Sequence, residues 1–289
     1  MQYAHFTRSA CYGLVVWMLV AWCTSASASL LWRIEKNGKR NFILGTIHVS
    51  DPHVLASLDR IDKIIQHSHE LVLEVQQNAD TRKTVAQRTQ LGRGTLQQKI
   101  GSTLFQKVGD VLKAKGIQPS ALMKMKPWAV GLMLNFPRPN PEPVLDEKLQ
   151  ILFQQVGKPV ASLETVDEQL DIFDRLSMPE QIQFLRYSLE QTKEFDANLL
   201  RMKSLYLKGD IDSIYALAQG QVDGVGSPTM DKLMHNLLDV RNQRMFERMQ
   251  PFLSKSGVLF AVGALHLPGK QGLLHKIRSA GFTLSPVYP

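Results

Sequence analysis

The sequence predicts an α/β (α+β) fold in which strand-rich ends enclose a mainly helical middle. Short apolar runs of strand length stand near the two ends of the chain, at residues 30–35, 41–44, 71–75 and 258–262. From about Thr81 to Pro251, apolar residues instead recur at intervals of three and four, the spacing of amphipathic helices. The chain has 289 residues, of which 44% are hydrophobic, so it is long enough to bury a sizeable core.

The charge of the chain is basic but scattered. Its 34 lysines and arginines exceed its 26 aspartates and glutamates, which gives a formal charge of +8 and a pI of about 9.4. The basic residues form no run or stripe, and a nucleic-acid interface needs such a patch. We therefore expect no nucleic-acid partner and assign the charge to solvated surface.

Residues 1–28 are typical of a secretory signal peptide. Arg8 precedes an apolar run at residues 14–22, and small residues follow as far as Ala28, where we expect cleavage. An uncleaved membrane anchor is the alternative, although the run is shorter than the ~20 residues that span a bilayer. We therefore expect an exported protein, periplasmic or secreted, with no membrane span after cleavage.

Both cysteines, Cys11 and Cys23, lie within this predicted signal peptide. The mature chain is therefore expected to have neither a disulfide nor a thiol nucleophile, although an oxidising compartment would permit a disulfide. Residues 29–289 are predicted to form a single domain. Its strand-rich core comprises residues 29–80 and 252–289, and its helical middle comprises residues 81–251.

The strand-rich core begins with a predicted hairpin. Two strands flank Asn37-Gly38, the signature of a two-residue hairpin turn. A Ser-Asp-Pro sequence at residues 50–52 starts a helix that is predicted to reach Ile65, and the apolar strand at 71–75 follows. Strand, helix and strand at this spacing predict a βαβ unit.

The helical middle is interrupted at a few places, and strands return at the end of the chain. We predict a proline-rich connector at 136–143, a return strand near 159–164 and a loop at 220–228. The last elements are then a helix, a strand with its loop, a helix and a short strand, predicted at 231–249, 258–266, 271–280 and 283–287.

One short phrase occurs twice, once near each end of the predicted domain. The first copy is Gly45-Thr46-Ile47-His48 and the second is Gly263-Ala264-Leu265-His266, and each follows an apolar run. Glycine lets another backbone or a ligand approach closely, and a histidine just past a strand lies where α/β sheets form pockets. We therefore expect two strand ends that meet and present two imidazoles to one pocket.

Glu74 adds a carboxylate to the two imidazoles. It lies inside the apolar run at 71–75, and a buried carboxylate needs a partner or a cation. Because two imidazoles and one carboxylate suit a three-ligand metal site, His48, Glu74 and His266 are the candidate catalytic and metal-binding residues. The alternatives are a chance repeat of the phrase and a Glu74 side chain turned to solvent. The other histidines of the domain are expected on the surface: His53, His67, His69, His235 and His275.

Further segments match one protein family, in order, over almost all of the predicted mature chain. They are 31–35 (LWRIE), 42–48 (FILGTIH), 71–75 (LVLEV), 126–128 (KPW), 145–146 (LD), 157–160 (GKPV), 163–165 (LET) with 168–169 (EQ), 241–242 (RN), 262–269 (VGALHLPG), 272–274 (GLL) and 281–282 (GF). Together they resemble the TraB/PrgY/GumN family, whose relatives include the Tiki metalloproteases. One departure is Leu145, since relatives often have a glycine and a small apolar residue before the aspartate.

The resemblance implies a fold like that of the haem-binding ChaN proteins and erythromycin esterase, a mixed β-sheet core with a large helical insertion. It also implies that His48, Glu74 and His266 form the working site. Tiki relatives are metal-dependent peptidases, so the implied cofactor is a divalent metal: Mn, Co or Zn. Arg241 and Asn242 match the family's Arg-Asn pair, which is expected to bind a substrate carboxylate or an oxyanion.

The hypothesis from the sequence is an exported metal-dependent hydrolase, in particular a peptidase, that acts on a peptide or small-molecule substrate. The alternative is a non-catalytic binding protein that captures a peptide signal or a haem-like ligand in the same cleft. Charged and imidazole groups suit both functions.

Overall fold

The computed structural model of the protein describes residues 29–137, 142–223 and 226–287. The predicted signal peptide, with both cysteines, and the centre of the proline-rich connector lie outside the described residues. Within these ranges the strands form one mixed six-stranded sheet. The strands are β1 (Leu31–Lys36), β2 (Lys39–Thr46), β3 (Glu70–Leu73), β4 (Val160–Ser162), β5 (Val258–Gly263) and β6 (Thr283–Pro286).

The strand order in the sheet is β4-β3-β5-β2-β1-β6. The four strands from β4 to β2 run parallel to their neighbours, whereas β1 is antiparallel to both β2 and β6. The predicted hairpin joins β1 to β2, and Asn37 and Gly38 have the positive φ angles, 51° and 75°, that its tight turn requires. The predicted βαβ unit joins β2 to β3 through the helices at 52–60 and 62–67. These two strands are not adjacent in the sheet, because β5 lies between them.

Helices make up most of the remaining described chain. The α-helices in these ranges are α1 (Pro52–Arg60), α2 (Asp62–His67), α3 (Ala79–Arg88), α4 (Leu96–Ile100), α5 (Ser102–Ala114), α6 (Pro119–Leu122), α7 (Pro127–Leu134), α8 (Leu145–Gln155), α9 (Val166–Asp174), α10 (Met178–Gln191), α11 (Phe195–Leu207), α12 (Ile211–Asp223), α13 (Pro228–His235), α14 (Arg241–Leu253) and α15 (Leu273–Ser279). A π-helical turn, Asn236–Val240, joins α13 to α14, and a 3₁₀ turn, Ala264–His266, follows β5. A helix long and apolar enough to cross a membrane is not found in the described ranges.

Several details differ from the sequence prediction. Helix α12 continues to Asp223, into the loop predicted at 220–228. The helix predicted from residue 50 to Ile65 is two helices, because the backbone leaves the helical region at Ile61 between α1 and α2. The strand predicted at 71–75 ends at Leu73, so Glu74 lies just past it. The helix predicted at 231–249 is divided by the π-helical turn and continues to Leu253.

The sheet is covered by helices on both faces. Side chains alternate between the faces along each strand: Leu71 and Leu73 join one hydrophobic cluster, and Val72 joins the other. The first cluster packs against α1, α2, α8, α11 and α12, and the second against α14 and α15. Helices α4 to α7, α9, α10 and α13 build further apolar clusters of their own. Both faces of the sheet are therefore buried, which leaves the ends of its strands to form pockets.

Candidate functional site

The four parallel strands each lead into a polar side chain at the same edge of the sheet. From β4 to β2 these residues are Glu164, Glu74, His266 and His48, each one to three positions past the last residue of its strand. We call this set the polar row. Because β2 and β5 are parallel neighbours, with Thr46 opposite Gly263, the two glycine–histidine phrases meet as the sequence predicts.

The two glycines of these phrases allow close packing at the edge. A side chain at Gly45 would lie 2.8 Å from Leu267 Cδ1 and 3.1 Å from Ala264 Cα, so the first phrase packs directly on the second. A side chain at Gly263 would lie 3.2 Å from Glu74 Oε1. Gly45 is thus required by contact rather than by a positive φ angle, and a side chain at Gly263 would crowd the Glu74 carboxylate.

The Glu74 carboxylate is buried among donors. Its side chain is 12% exposed, and Oε1 accepts a hydrogen bond from the Gly263 backbone N–H at 2.6 Å. Oε2 accepts hydrogen bonds from the Arg241 guanidinium and, at 3.2 Å, from Gln169 Nε2. The same Oε1 lies 3.5 Å from His266 Nε2. Glu74 therefore faces the site rather than solvent.

Glu164 is a second buried carboxylate, beside Glu74 in the polar row. Its side chain is fully buried, and Arg241 binds Oε2 through Nε at 2.9 Å and Nη2 at 2.7 Å. Arg244 binds Oε1 through Nη2 at 2.5 Å. Arg241 thus bridges two carboxylates, and Glu164 fixes the guanidinium that holds Glu74.

Asn242 determines which nitrogen of His266 carries a hydrogen. Asn242 Nδ2 donates to the Gln271 carbonyl at 3.0 Å, so its Oδ1 is the atom that lies 2.7 Å from His266 Nδ1. Since Oδ1 can only accept, Nδ1 must be the protonated nitrogen of the neutral ring. Nε2 of the neutral ring then turns a lone pair toward Glu74 Oε1, and two acceptors face each other.

The charges of this pair follow from its surroundings. Burial opposes the charge on Glu74, yet the positive charge around it, first from His266 and then from Arg241, lowers the pKa of Glu74 to about 2. Burial lowers the pKa of His266 to about 4, although Glu74 opposes that shift. His266 supports the carboxylate only while its ring is protonated. At neutral pH the carboxylate is supported instead by the charges of Arg241 and His48 and by the Gly263 N–H. The pair is then an ionised Glu74 that faces a neutral His266.

His48 stands at the other end of the polar row and pairs with Asp146. Its ring is 56% exposed, and Nδ1 lies 3.3 Å from Asp146 Oδ2. The protein packed around the half-exposed ring opposes its charge and would lower the pKa of His48, but the carboxylates of Asp146 and Glu74 outweigh this effect and raise the pKa to about 9. His48 is therefore favoured as an imidazolium at neutral pH, and it would lose that proton if Nε2 bound a cation.

The polar row opens into a cavity of about 300 Å³. His48, Glu74 and His266 line it together with Arg241, whereas Asn242 lies behind His266. The opposite wall is apolar and comes from α11 to α13 and the π-helical turn: Met202, Tyr206, Ile214, Met234, Leu237 and Leu238. A groove of about 460 Å³ shares Tyr206 with the cavity but includes no member of the polar row among its lining residues.

The donor groups of the polar row suit a divalent cation. The 3.5 Å between Glu74 Oε1 and His266 Nε2 is close to the separation of two ligands each about 2.0–2.2 Å from one tetrahedral ion. In the described residues, no group of three or more His, Cys, Asp or Glu side chains has the arrangement of a metal site. His48 lies in the same cavity but turns Nδ1 to Asp146. A metal held by His48, Glu74 and His266 stays a prediction, and Glu74 with His266 is the pair that fits.

The sequence prediction named the residues that line the cavity but not all of their partners. Arg241 and Asn242, which were predicted to bind substrate, contact Glu74, Glu164 and His266 in the structure. Asp146 and Glu164 were not predicted as site residues, although both lie in segments that carry the family resemblance. The five histidines expected on the surface are all exposed.

Comparison with known proteins identifies one family. The model of the TraB/PrgY/gumN family matches residues 30–286, which include every strand and every member of the polar row. Among individually curated proteins, none matches the chain. Because the family match covers nearly the whole chain, this protein belongs to the TraB/PrgY/gumN family.

Proposed function

We propose that this protein is an exported metal-dependent hydrolase that cleaves peptides. One observation carries the proposal: His266 Nε2 and Glu74 Oε1 face each other at 3.5 Å, while His266 Nδ1 lies 2.7 Å from Asn242 Oδ1, which places the hydrogen of the neutral ring on the far nitrogen. Two acceptors held at this distance in a buried site attract a cation. The signal-peptide pattern of residues 1–28 supports export.

The roles of the residues follow from their contacts. Glu74 and His266 would hold the cation, and His48 would complete the ligand set or exchange a proton with substrate. Arg241 and the Gly263 N–H keep Glu74 ionised, and Asn242 keeps the hydrogen of His266 on Nδ1. A bound divalent cation at such a site polarises a substrate carbonyl and acidifies water.

Arg241 also has a free donor. Nε and Nη2 bind carboxylates, while Nη1 makes no hydrogen bond to any described part of the chain. Because Arg241 lines the cavity, Nη1 is available to a substrate carboxylate or to the oxyanion that develops during acyl transfer. Its two carboxylate partners hold the guanidinium in place before substrate arrives.

The cavity suits a peptide that places an apolar side chain beside the reacting bond. His48, Glu74 and His266 line the cavity with Arg241, and apolar side chains of the helices line the rest of it. Methionines such as Met202 and Met234 adapt to different apolar shapes, because the thioether side chain is unbranched and flexible.

The test is peptide cleavage by metal-stripped protein that is then supplied with Mn²⁺, Co²⁺ or Zn²⁺ in turn. A peptide library analysed by mass spectrometry should show cleavage with at least one ion. Cleavage should fall at least about 100-fold in His266→Ala and Glu74→Gln, at or beyond the upper end of what loss of a supporting residue causes. His235→Ala is the matched control, since His235 is exposed and outside the cavity.

Absence of cleavage with all three ions would contradict the proposal. Peptide binding that needs His266 but yields no product would instead favour the alternative, a binding protein. Circular dichroism and thermal unfolding of each variant would show whether a lost activity reflects lost structure.

A further inference from the structure

We propose that Asp146, held by Thr46, is the residue that positions His48 in the site, as Asn242 positions His266. This inference rests on the proposed function, because it concerns the residues that would hold the cation and substrate. It adds two residues, Asp146 and Thr46, to the machinery of the site.

Thr46 fixes the rotation of the Asp146 carboxylate. Thr46 Oγ1 donates a hydrogen bond to Asp146 Oδ1 at 2.7 Å. Asp146 lies in the first turn of α8 with its side chain 13% exposed. With Oδ1 turned to Thr46, Oδ2 is the oxygen that the carboxylate presents on its other side.

Oδ2 of Asp146 faces His48. It is buried and accepts no hydrogen bond within the described part of the chain, and His48 Nδ1 lies 3.3 Å away. A buried carboxylate oxygen needs a donor, and a small rotation of the imidazole would supply it from Nδ1. The opposite ring nitrogen, Nε2, is then the one left free for the cavity that His48 lines.

The two histidines are thus supported in the same way. Each turns Nδ1 to an oxygen from a helix, Asp146 of α8 for His48 and Asn242 of α14 for His266. Such supporting oxygens fix the ring and the hydrogen-bearing nitrogen of metal-binding histidines.

This arrangement explains why the two phrases differ at their second residue. In the first phrase Thr46 provides the hydroxyl that holds Asp146. In the second phrase the same position is Ala264, and the supporting Asn242 is held instead by the Gln271 carbonyl. In each case a further group holds the side chain that orients the histidine: the Thr46 hydroxyl holds Asp146, and the Gln271 carbonyl holds Asn242.

A role in helix capping does not account for Asp146. The residue before α8 is Val144, which caps without a side-chain hydrogen bond, and the oxygens of Asp146 face Thr46 and His48 rather than backbone N–H groups. Glu147 supplies another acidic charge to the same helical turn. Glu147 therefore offers a matched control for any general effect of charge at this helix end.

The test follows the His48 ring by NMR in protein labelled with ¹⁵N-histidine, with His48→Gln to assign the signal. In the wild type, the Nδ1–H of His48 should be protected from solvent exchange and visible at low temperature. Asp146→Leu, which is similar in size but accepts no hydrogen bond, should lose the signal, whereas Asp146→Asn should keep it through its amide oxygen. Thr46→Val leaves Asp146 in place and should weaken the signal, and Thr46→Ser should restore it.

Cation affinity gives the second measurement. Titration with Mn²⁺ should show a Kd about 10- to 100-fold weaker in Asp146→Leu than in the wild type, with Glu147→Gln unchanged. An unaltered Nδ1–H signal in Asp146→Leu would overturn the inference. If the wild type binds no cation, the proposed function fails, and the NMR signal alone decides whether Asp146 positions His48.

Discussion

Glu74 Oε1 and His266 Nε2 lie 3.5 Å apart at the ends of two neighbouring parallel strands, β3 and β5. The Asn242 side chain places the hydrogen of the His266 ring on the far nitrogen, so the two facing atoms are both acceptors. Arg241 keeps the carboxylate charged, and burial keeps the imidazole neutral. We propose that these two facing acceptors, rather than the number of histidines, give the site its affinity for a cation.

The first prediction concerns Asn242. Asn242→Leu removes the acceptor that holds the hydrogen on Nδ1, and His266 is then free to carry it on Nε2, toward Glu74. We expect cation affinity, measured by titration calorimetry, to fall about 10- to 100-fold. Gln243→Leu, a change at the next and exposed residue, should leave the affinity unchanged. Equal affinities in Asn242→Leu and the wild type would show that the tautomer does not matter.

The second prediction concerns Gly263, the glycine of the second phrase. Gly263→Ala places a methyl group 3.2 Å from Glu74 Oε1 and should displace the carboxylate. Peptide cleavage should fall about 10- to 100-fold, as it does when ligand orientation is lost. Gly92→Ala is the control, because a side chain there meets nothing within 4 Å and needs no positive φ. Normal cleavage by Gly263→Ala would mean that Glu74 tolerates movement.

The third prediction concerns Glu164. Glu164→Leu leaves Glu74 as the carboxylate partner of the buried Arg241 guanidinium, and it removes the carboxylate that Arg244 binds. Loss of one partner from a buried ion pair costs about 3–5 kcal/mol, so urea unfolding should show a free-energy loss of that size. Glu35→Leu, which disrupts the surface pairs of Glu35 with Arg33 and Arg40, should cost below about 1 kcal/mol. A loss below 1 kcal/mol for Glu164→Leu would contradict the importance of this network.

The fourth prediction concerns pH. The Arg248 guanidinium is the main group that lowers the pKa of Glu168, to about 2, while partial burial opposes it. A lowered pKa contributes stability that is full above pH 4.5 and is lost as the pH falls toward 2. Because Glu168 is partly exposed, we expect Glu168→Gln to lose about 1–3 kcal/mol at neutral pH.

The measurement for Glu168 is urea unfolding of the wild type and Glu168→Gln across this pH range. The difference in the free energy of unfolding between the two proteins should narrow steadily below pH 4.5. Gln retains the helix-capping contact with the Thr165 backbone N–H, so the gap isolates the pair with Arg248. A gap that stays constant down to pH 2 would show that the charge contributes nothing.

Much of the fold and part of the site could be predicted from the sequence. The strands are apolar runs of ordinary length, and the two phrases begin at the ends of the strands that become β2 and β5. Because parallel strands end at the same edge of a sheet, two histidines at such ends were expected to meet. Their partners could not be predicted in this way. Asp146 reaches His48, and Glu164 meets Arg241, only because of how α8 and α14 dock on the sheet. Apolar periodicity does not specify that docking.

The roles of Arg241 and Asn242 show the same limit. Their residue types suggest contacts with substrate, and the sequence prediction made that assignment. In the structure a π-helical turn, Asn236–Val240, precedes them, and the helix turns Arg241 to Glu74 and Glu164 and Asn242 to His266. The spacing of apolar residues in the sequence does not reveal a π-helical turn of this kind, which changes the direction in which the following side chains point. Direct contact of these two side chains with substrate stays a prediction.

The proposed function depends on a divalent cation that binds between Glu74 and His266. Its most direct test is anomalous diffraction from crystals of the protein soaked in Mn²⁺. We expect an anomalous peak between Glu74 Oε1 and His266 Nε2, within ligand distance of both atoms, that disappears in His266→Ala crystals. A soaked wild-type crystal with no peak between these two atoms, or with the same peak in His266→Ala, would contradict the account.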